Sequence, residues 1–198
     1  VRPTFVFPSL LNKSPLKKDI IEGTDLVFLR ELTGGIYFGE RGRLDNGETA
    51  YDTCTYTRCE VKRIAEKGFN LAMKRSKKLC CVDKANVFRS QALFRKIFDE
   101  RKHSFTDIKS EHCYVDAMAL NLIRNPWEYD VMVMENMFGD ILSDLGGGLV
   151  GGMGMASCAE IGDNHGLFQP AHGSAPDIMG QDKANPLATI LSSTLMLD

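Results

Sequence analysis

The chain has 198 residues, of which 43% are hydrophobic, and a formal net charge of −2. This length is enough for one large domain or one and a half, with a sizeable core. The small net charge gives no electrostatic basis for binding nucleic acid or a membrane surface, and no apolar run approaches the roughly 18–20 residues that a membrane span needs.

The first half of the chain alternates between extended and helical patterns. Asp25–Arg30 predicts a strand, and Gly34-Gly35 ends it. We expect two extended arms, Ile36–Phe38 and Tyr51–Thr57, around a polar turn. Arg58–Lys77 has apolar residues at helical spacing and predicts a helix.

The second half continues the alternation. Leu79–Val82 predicts a buried strand, and the final helix should begin after Asn185-Pro186, with Asn185 as its cap. Between them we expect helices over Gln91–Arg101, Glu111–Arg124 and Glu135–Gly148, and a strand over Tyr129–Met134. Strands alternating with helices are typical of an α/β protein.

The segment ENMFGDILSDLGGG (135–148) is the most informative part of the chain. Asp140 and Asp144 are four residues apart in an amphipathic run, so a helix places both carboxylates on one face. Two like charges repel there unless a cation lies between them, and Mg²⁺ or Mn²⁺ prefers carboxylate oxygens. The alternative is a pair of solvated carboxylates on an exposed face.

Two further charged residues lie where a ligand could bind. Lys84 follows Asp83 at the end of the predicted Leu79–Val82 strand, and ligands usually bind at strand ends in open α/β sheets. Beside a metal and an anionic substrate, such a lysine can serve as a base. A surface lysine in a turn is the alternative. Asp116 lies near an apolar helical seam and needs a partner.

The glycine-rich stretch 146–154 predicts a domain boundary or hinge. Downstream, HGSAPDI (172–178) suggests a tight loop whose backbone amides could bind an anion or a nucleotide edge. Asp177 could accept hydrogen bonds from a ribose diol, and it would repel a 2′-phosphate. An ordinary turn, with a structural His172, is the alternative.

The two ends of the chain suggest a longer protein, and the cysteines suggest a redox compartment. The chain starts at Val1 without a methionine, and its last helix runs to the end without a cap, so we expect a piece of a longer protein. The six cysteines fit neither a zinc-binding spacing nor a small disulfide scaffold. We expect reduced thiols in a cytosol-like compartment, with a structural disulfide as the alternative.

Five motifs occur in an order that resembles the 3-isopropylmalate dehydrogenases. They are RELTGGIYFG (30–39), VDKAN (82–86), YVDAM (114–118), FGDILSD (138–144) and HGSAPDI (172–178). The resemblance covers essentially the whole chain. It implies an isopropylmalate dehydrogenase-like α/β fold, with a substrate, metal and dimerisation domain at residues 1–148 and part of a cofactor domain at 149–198.

The resemblance also implies a role for each matching residue. Tyr37 and Lys84 would be the catalytic acid and base, and Arg2 and Arg30 would bind substrate carboxylates, with Asp116 beside them. Asp116, Asp140 and Asp144 would hold Mg²⁺ or Mn²⁺. The cofactor NAD would be bound by Asn86, His172, Gly173, Ser174, Ala175, Asp177, Ile178 and Asn185.

The implied function is NAD-dependent oxidative decarboxylation of 3-isopropylmalate in leucine biosynthesis, by a cytoplasmic homodimer whose subunits share each active site. An organellar matrix is the alternative compartment. Other substrates stay open: tartrate or malate, isocitrate and homoisocitrate. The segment after Glu40 lacks the family's usual proline, and the glycines at 146–154 resemble tartrate-type relatives. A regulatory subunit or an inactive truncated product are further alternatives.

Overall fold

A computed structural model describes residues 1–197. Strands alternate with helices in this part of the chain, which confirms the predicted α/β class. The strands are β1 (Arg2–Phe5), β2 (Asp25–Arg30), β3 (Arg41–Leu44), β4 (Thr49–Asp52), β5 (Lys78–Asp83), β6 (Lys109–Tyr114), β7 (Val131–Met134), β8 (Ser157–Ile161) and β9 (Gly166–Pro170). The helices are α1 (Lys18–Ile21), α2 (Arg58–Met73), α3 (Arg89–Lys102), α4 (Val115–Arg124), α5 (Asn136–Leu149) and α6 (Leu187–Leu197).

The chain folds into two compact units. The first consists of Val1–Phe28, Ala119–Glu128 and the chain from Leu142 onward. The second consists of Leu29–Met118 and Tyr129–Ile141. The division of function at residue 148 stays a prediction.

In the second unit, β5 lies between β7 and β6 and is parallel to both. The residues of β5 from Leu79 to Asp83 are all buried, as expected for a central parallel strand. Chain direction then places the residues that follow β5 and β7, including Lys84 and Glu135, at the carboxyl ends of parallel strands.

Helices α2 and α3 cover the β5 region of this sheet. Helix α2 begins with a capping box, in which Thr57 and Glu60 satisfy each other's backbone amides. Phe69 of α2 stacks on Phe98 of α3 and on Phe105, each pair of ring centroids being 4.9 Å apart. These aromatic side chains form the core beneath β5, the strand that Lys84 follows.

In the first unit, β1 pairs antiparallel with β2, and β8 pairs antiparallel with β9. Helix α6 packs on the β8–β9 hairpin, where the Cys158 amide donates to Ser192 Oγ at 3.3 Å. The predicted Leu187–Leu197 helix is confirmed. Its cap is also observed, since the Leu187 amide donates to Asn185 Oδ1 at 3.0 Å.

The predicted helix Glu111–Arg124 was wrong at its start. Residues Lys109–Tyr114 form strand β6, which pairs in parallel with β5, and helix α4 begins only at Val115. The helical spacing is a local property, whereas pairing with a buried strand satisfies a whole row of backbone groups. The tertiary pairing therefore outweighs the local preference.

The predicted extended arm Ile36–Phe38 was also wrong. Gly35–Tyr37 forms a 3-10 turn, which Gly35 begins at φ +80°. The hairpin consists instead of β3 and β4. Its turn contains Asn46 at φ 53° and Gly47 at φ 99°, two residue types that tolerate a left-handed backbone.

Helix α5 continues through the glycine-rich stretch as far as Leu149. A Cβ on Gly146 would lie 2.7 Å from Phe28 Cε2 and 3.0 Å from Thr4 Oγ1, so this glycine allows the helix to pack closely on β1 and β2. All six cysteines are free thiols, and no helix in the described residues is long and apolar enough to cross a membrane.

Candidate active site

Three predicted site residues meet on helix α5 in the second unit. Asp140 accepts hydrogen bonds from Arg30 Nη1 and from the Tyr37 hydroxyl, the latter at 2.9 Å. The Arg30 guanidinium lies 5.5 Å from the centre of the Tyr37 ring, within cation–π distance. A cation, a phenol and a carboxylate therefore converge, although 103 residues separate Tyr37 from Asp140.

The hydrogen bond to Asp140 raises the pKa of the Tyr37 phenol, and burial raises it further. The phenol therefore keeps its proton at neutral pH, as a group that donates a proton to a reaction intermediate must.

Gly139 allows Arg30 to lie across helix α5. A Cβ at this position would be 2.6 Å from both Cβ and Cγ of Arg30. Asn136, one turn earlier, accepts from Arg30 Nε at 2.8 Å. Two separate donors of Arg30 are thus engaged by the same helix, which fixes the plane of the guanidinium.

Asp144 lies one turn after Asp140 on α5, as predicted. In the first unit, Asp144 accepts from Arg2 Nη1 at 3.0 Å, and the same nitrogen donates to Ser143 Oγ at 2.7 Å. The Arg2 side chain is largely buried, so its charge has little solvent to stabilise it. The ion pair with Asp144 supplies part of that stabilisation.

Lys84 and Asp116 form a separate ion pair in the second unit. Lys84 Nζ donates to Asp116 Oδ1 at 2.6 Å. This hydrogen bond is the main reason that the pKa of Asp116 is lowered. Asp116 also lies in the first turn of α4, where a carboxylate is favoured by the helix dipole.

The three aspartates supply only oxygen ligands, the kind of donor that Mg²⁺ and Mn²⁺ prefer, so they fit such a metal chemically. Asp116 and Asp140 belong to the second unit and Asp144 belongs to the first. Their joint role in metal binding stays a prediction, in which Asp116 comes from a second subunit.

The predicted cofactor-binding residues lie in two places. Asn86 is exposed in the turn after β5 of the second unit. In the first unit, Ala175 adopts a left-handed backbone (φ 42°) and precedes a 3-10 turn that contains Asp177. The remaining members of this loop are mostly exposed, and they are His172, Gly173, Ser174 and Ile178. Asn185 caps the following helix. An open loop of this kind leaves polar groups available to a ligand.

The buried network behind Arg30 was not predicted from the sequence. Glu135 accepts from the Tyr56 hydroxyl at 2.9 Å and from the Phe138 amide at 2.7 Å. The Asn136 amide in turn donates to the Tyr56 oxygen at 2.9 Å. Burial raises the pKa of Glu135. The signal was present in VMVMEN, where a carboxylate directly follows a fully apolar strand.

Comparison with known proteins identifies the family. The model of the isocitrate/isopropylmalate dehydrogenase family matches residues 1–198, and the chain belongs to this family.

The chain is 53% identical to 3-isopropylmalate dehydrogenase from Desulfitobacterium hafniense (strain Y51) and 54% identical to that from Carboxydothermus hydrogenoformans. All of the chain is covered in both comparisons, but only 56% and 54% of the two relatives, so the chain spans about half the length of these proteins.

Solved structures agree with this fold. The isocitrate dehydrogenase from Methylococcus capsulatus matches with a TM-score of 0.92 and 35% identity, over 99% of this chain and 57% of that one. The TT0538 protein from Thermus thermophilus matches with a TM-score of 0.89 and 33% identity, over 99% of this chain and 39% of that one.

Proposed function

We propose that this chain belongs to an NAD-dependent enzyme that oxidises and decarboxylates 3-isopropylmalate to 4-methyl-2-oxopentanoate, a step of leucine biosynthesis. The relatives that share over half of its residues bear the name 3-isopropylmalate dehydrogenase. The observation that carries the proposal is the convergence of Arg30 and Tyr37 on Asp140.

The substrate is a dicarboxylic 2-hydroxy acid, and the two arginines suit it. Arg30 and Arg2 would each bind a substrate carboxylate, since the planar guanidinium matches a carboxylate in two parallel hydrogen bonds. Both arginines now bind aspartates of helix α5, so a substrate anion would find them already held in place. Pre-positioned charges of this kind do not need to reorganise during the reaction.

Two residues would transfer protons. Lys84 would take the proton of the C2 hydroxyl in its neutral form, after its ammonium group has lost a proton to solvent; in the structure its Nζ donates to Asp116 Oδ1 at 2.6 Å. Tyr37 would protonate the enolate carbon that remains after CO₂ has left. The raised pKa of Tyr37 is consistent with this role, because the phenol carries a proton to give.

Asp116, Asp140 and Asp144 would hold Mg²⁺ or Mn²⁺, with Asp116 and its neighbour Lys84 both supplied by a second subunit. A bound divalent ion lowers the pKa of the substrate hydroxyl and stabilises developing enolate charge. NAD supplies the hydride acceptor. Its adenosine end would bind at the His172–Ile178 loop and near Asn185, and Asn86 would lie on the nicotinamide side. Asp177 would favour NAD over NADP.

A shared site requires a homodimer, and exposed apolar side chains support one. Leu44 and Tyr51 of the β3–β4 hairpin are 55% and 43% exposed. Leu120 and Ile123 of helix α4 are 52% and 43% exposed. Exposure of single apolar side chains is common, but a contiguous apolar patch marks an interface, and we propose that the partner subunit covers the side chains of the hairpin and of α4. We place the enzyme in the cytoplasm, where free thiols stay reduced.

The test is a substrate panel with the full-length protein, Mn²⁺ and K⁺. 3-Isopropylmalate should give the highest kcat/KM, ahead of isocitrate, homoisocitrate, tartrate and D-malate. Isocitrate is the second candidate, because the chain resembles the Methylococcus capsulatus isocitrate dehydrogenase over 99% of its length. A preference for isocitrate or tartrate would overturn the substrate assignment. No turnover of any member would indicate a regulatory or inactive protein.

A further inference from the structure

Strands β5 and β6 bring a cysteine, an aspartate and a histidine together, away from helix α5. Cys81 and Asp83 are two residues apart on β5, so their side chains point to the same face of the sheet. His112 on β6 is the register partner of Cys81. The ligand atoms of these three side chains lie within 4.8 Å of one another. Cys81 and Asp83 are fully buried, and the His112 side chain is 25% exposed.

The histidine has one ring nitrogen engaged and one free to bind. Asp99 Oδ1 lies 2.8 Å from His112 Nε2, so the carboxylate favours the tautomer that carries its proton on Nε2. The other nitrogen, Nδ1, then has a lone pair. This atom is buried, and no residue that the structure describes makes a hydrogen bond to it. A buried lone pair without a donor is unfavourable.

Asp83 also directs a lone pair into this space. Its Oδ1 accepts from the Ala85 amide and from Arg95 Nη2, at 2.9 and 2.8 Å. Its Oδ2 accepts only from Arg95 Nε, at 2.8 Å, which leaves one lone pair. That oxygen lies 3.8 Å from His112 Nδ1, too far for a hydrogen bond. Two acceptor atoms therefore lie 3.8 Å apart, and a cation bound to both would stabilise them.

We propose that Cys81 Sγ, Asp83 Oδ2 and His112 Nδ1 bind a Zn²⁺ ion. Thiolate, imidazole and carboxylate are the ligands that zinc accepts at about 2.0–2.3 Å, and tetrahedral geometry then separates ligand atoms by roughly 3.3–3.8 Å. For a nitrogen and an oxygen ligand the tetrahedral separation is about 3.3–3.5 Å, so the 3.8 Å between Nδ1 and Oδ2 must shorten by a few tenths of an ångström when the ion binds. Asp99 would orient the imidazole, as carboxylates commonly do behind a metal-bound histidine.

The charges of the surrounding groups balance in the bound state. Zinc binding displaces the proton of the Cys81 thiol to solvent and leaves a thiolate on the metal. The thiolate, Asp83 and Asp99 then contribute three negative charges. Zn²⁺ and the Arg95 guanidinium contribute three positive charges. Because an uncompensated charge is costly in a buried site, this balance makes the bound state feasible despite the adjacent arginine.

The site does not depend on the proposed function and uses none of its residues. Mg²⁺ and Mn²⁺ prefer oxygen ligands, whereas Zn²⁺ and Cd²⁺ accept sulfur. An excess of Mg²⁺ therefore occupies carboxylate sites and leaves the thiolate site free for a softer ion. The substrate panel and zinc binding can succeed or fail separately.

The experiment uses the full-length protein, stripped of metal with a chelator and kept in excess Mg²⁺. Zn²⁺ is titrated against a chromogenic chelator, and Cd²⁺ is titrated while the ultraviolet absorption of a cadmium–thiolate bond is recorded. Wild type should bind one Zn²⁺ per chain and show the thiolate absorption. Cys81→Ser should abolish the absorption, and His112→Asn should weaken Zn²⁺ binding strongly. Asp99→Asn should weaken it about 10- to 100-fold.

The matched control is Cys80→Ser, because Cys80 is the neighbouring buried thiol on the opposite face of β5. This variant should bind like wild type. His103→Asn, at the exposed residue that follows α3, controls for adventitious histidine binding. A wild-type protein without thiolate absorption would overturn the proposal. Absorption that survives Cys81→Ser would also overturn it. If Cys81→Ser does not fold, His112→Asn and the wild-type stoichiometry decide.

Discussion

At the scale of single residues, two buried glutamates hold the segment that leads to Tyr37. Glu31 accepts from the amides of Thr33 and Gly34 at 3.0 and 2.9 Å, and from Arg63. Glu135 accepts a hydrogen bond from the Tyr56 hydroxyl, which lies against Gly35 of the same segment. A Cβ on Gly35 would collide with that hydroxyl oxygen, so Gly35 is required by space as well as by its positive φ. The candidate proton donor is thus positioned by two buried carboxyl groups that do not contact it.

Glu135 gives a prediction about pH and stability. Burial raises its pKa above the ordinary value of 4.5, so the folded state holds this proton more tightly than the unfolded state does. Its contribution to stability is full below the unfolded pKa and is lost as the pH rises through the raised folded pKa. Glu135→Gln cannot lose a proton. The free energy of unfolding of wild type minus that of the variant should therefore fall as the pH rises above 4.5. Urea titrations across this range measure it, and a difference that grows with pH would contradict the prediction.

Asp140 and Asp144 give a prediction about metal binding. Asp140→Asn and Asp144→Asn should each weaken Mn²⁺ binding by at least about tenfold, because affinity for hard cations follows the number of charged oxygen ligands. Calorimetric titration of the full-length protein measures this, with Asp45→Asn on the hairpin turn as the control. Unchanged affinity in both variants would remove these residues from the metal site.

Asp177 gives a prediction about the cofactor. A carboxylate accepts from a ribose diol and repels a 2′-phosphate, which corresponds to about 1–3 kcal/mol, or roughly ten- to a hundredfold, in favour of NAD⁺. Asp177→Lys should narrow or invert this preference. The ratio of kcat/KM for the two cofactors is the measurement, with Asp182→Lys in the same exposed region as the control. A wild-type preference for NADP⁺ would refute the role of Asp177.

At the scale of elements, helix α5 shows why neighbouring glycines are not equivalent. Gly139 lies against the Arg30 side chain, and Gly146 lies against Phe28 and Thr4. A Cβ on Gly148 would meet no atom within 4 Å. The first two permit close packing, whereas the third has only the entropic cost of glycine in a helix.

Gly139 and Gly148 allow a matched pair of alanine variants on the same helix. Gly139→Ala should destabilise the fold by about 1–3 kcal/mol, as overpacking does, and should also lower kcat/KM because Arg30 must shift. Gly148→Ala should be neutral or stabilise by up to about 1 kcal/mol. Thermal and urea unfolding of both variants test the contrast. Equal effects of the two substitutions would contradict the packing argument.

At the scale of the whole molecule, the proposed active site needs a second subunit to supply Asp116. The full-length protein should sediment as a dimer at micromolar concentration, since obligate interfaces of this kind bury roughly 2,000 Å² or more. The double variant Leu120→Glu and Ile123→Glu on α4 should shift the dimer–monomer equilibrium towards monomer. Its activity should fall in parallel. Ile161→Glu, at a side chain that is 53% exposed, is the control. A folded, active monomer would exclude the shared site.

The sequence by itself determined the features that depend on short separations along the chain. These include the strand Asp25–Arg30, the helical face that carries Asp140 and Asp144, the position of Lys84 at a strand end, and the capped helix Leu187–Leu197. Periodicity and capping act within a few residues, so they can be read from the sequence alone.

Only the tertiary structure decided what depends on contacts between distant segments. Pairing with β5 made Lys109–Tyr114 a strand and placed His112 beside Cys81. Packing on α5 joined Arg30 and Tyr37 to Asp140. It also buried Glu135 and so raised its pKa. The spacing of the cysteines excluded a zinc site whose ligands lie close together along the sequence. It carries no information about ligands from two different strands that meet only in the folded sheet. Such contacts form only when the sheet forms, because folding brings together residues that are far apart in the sequence.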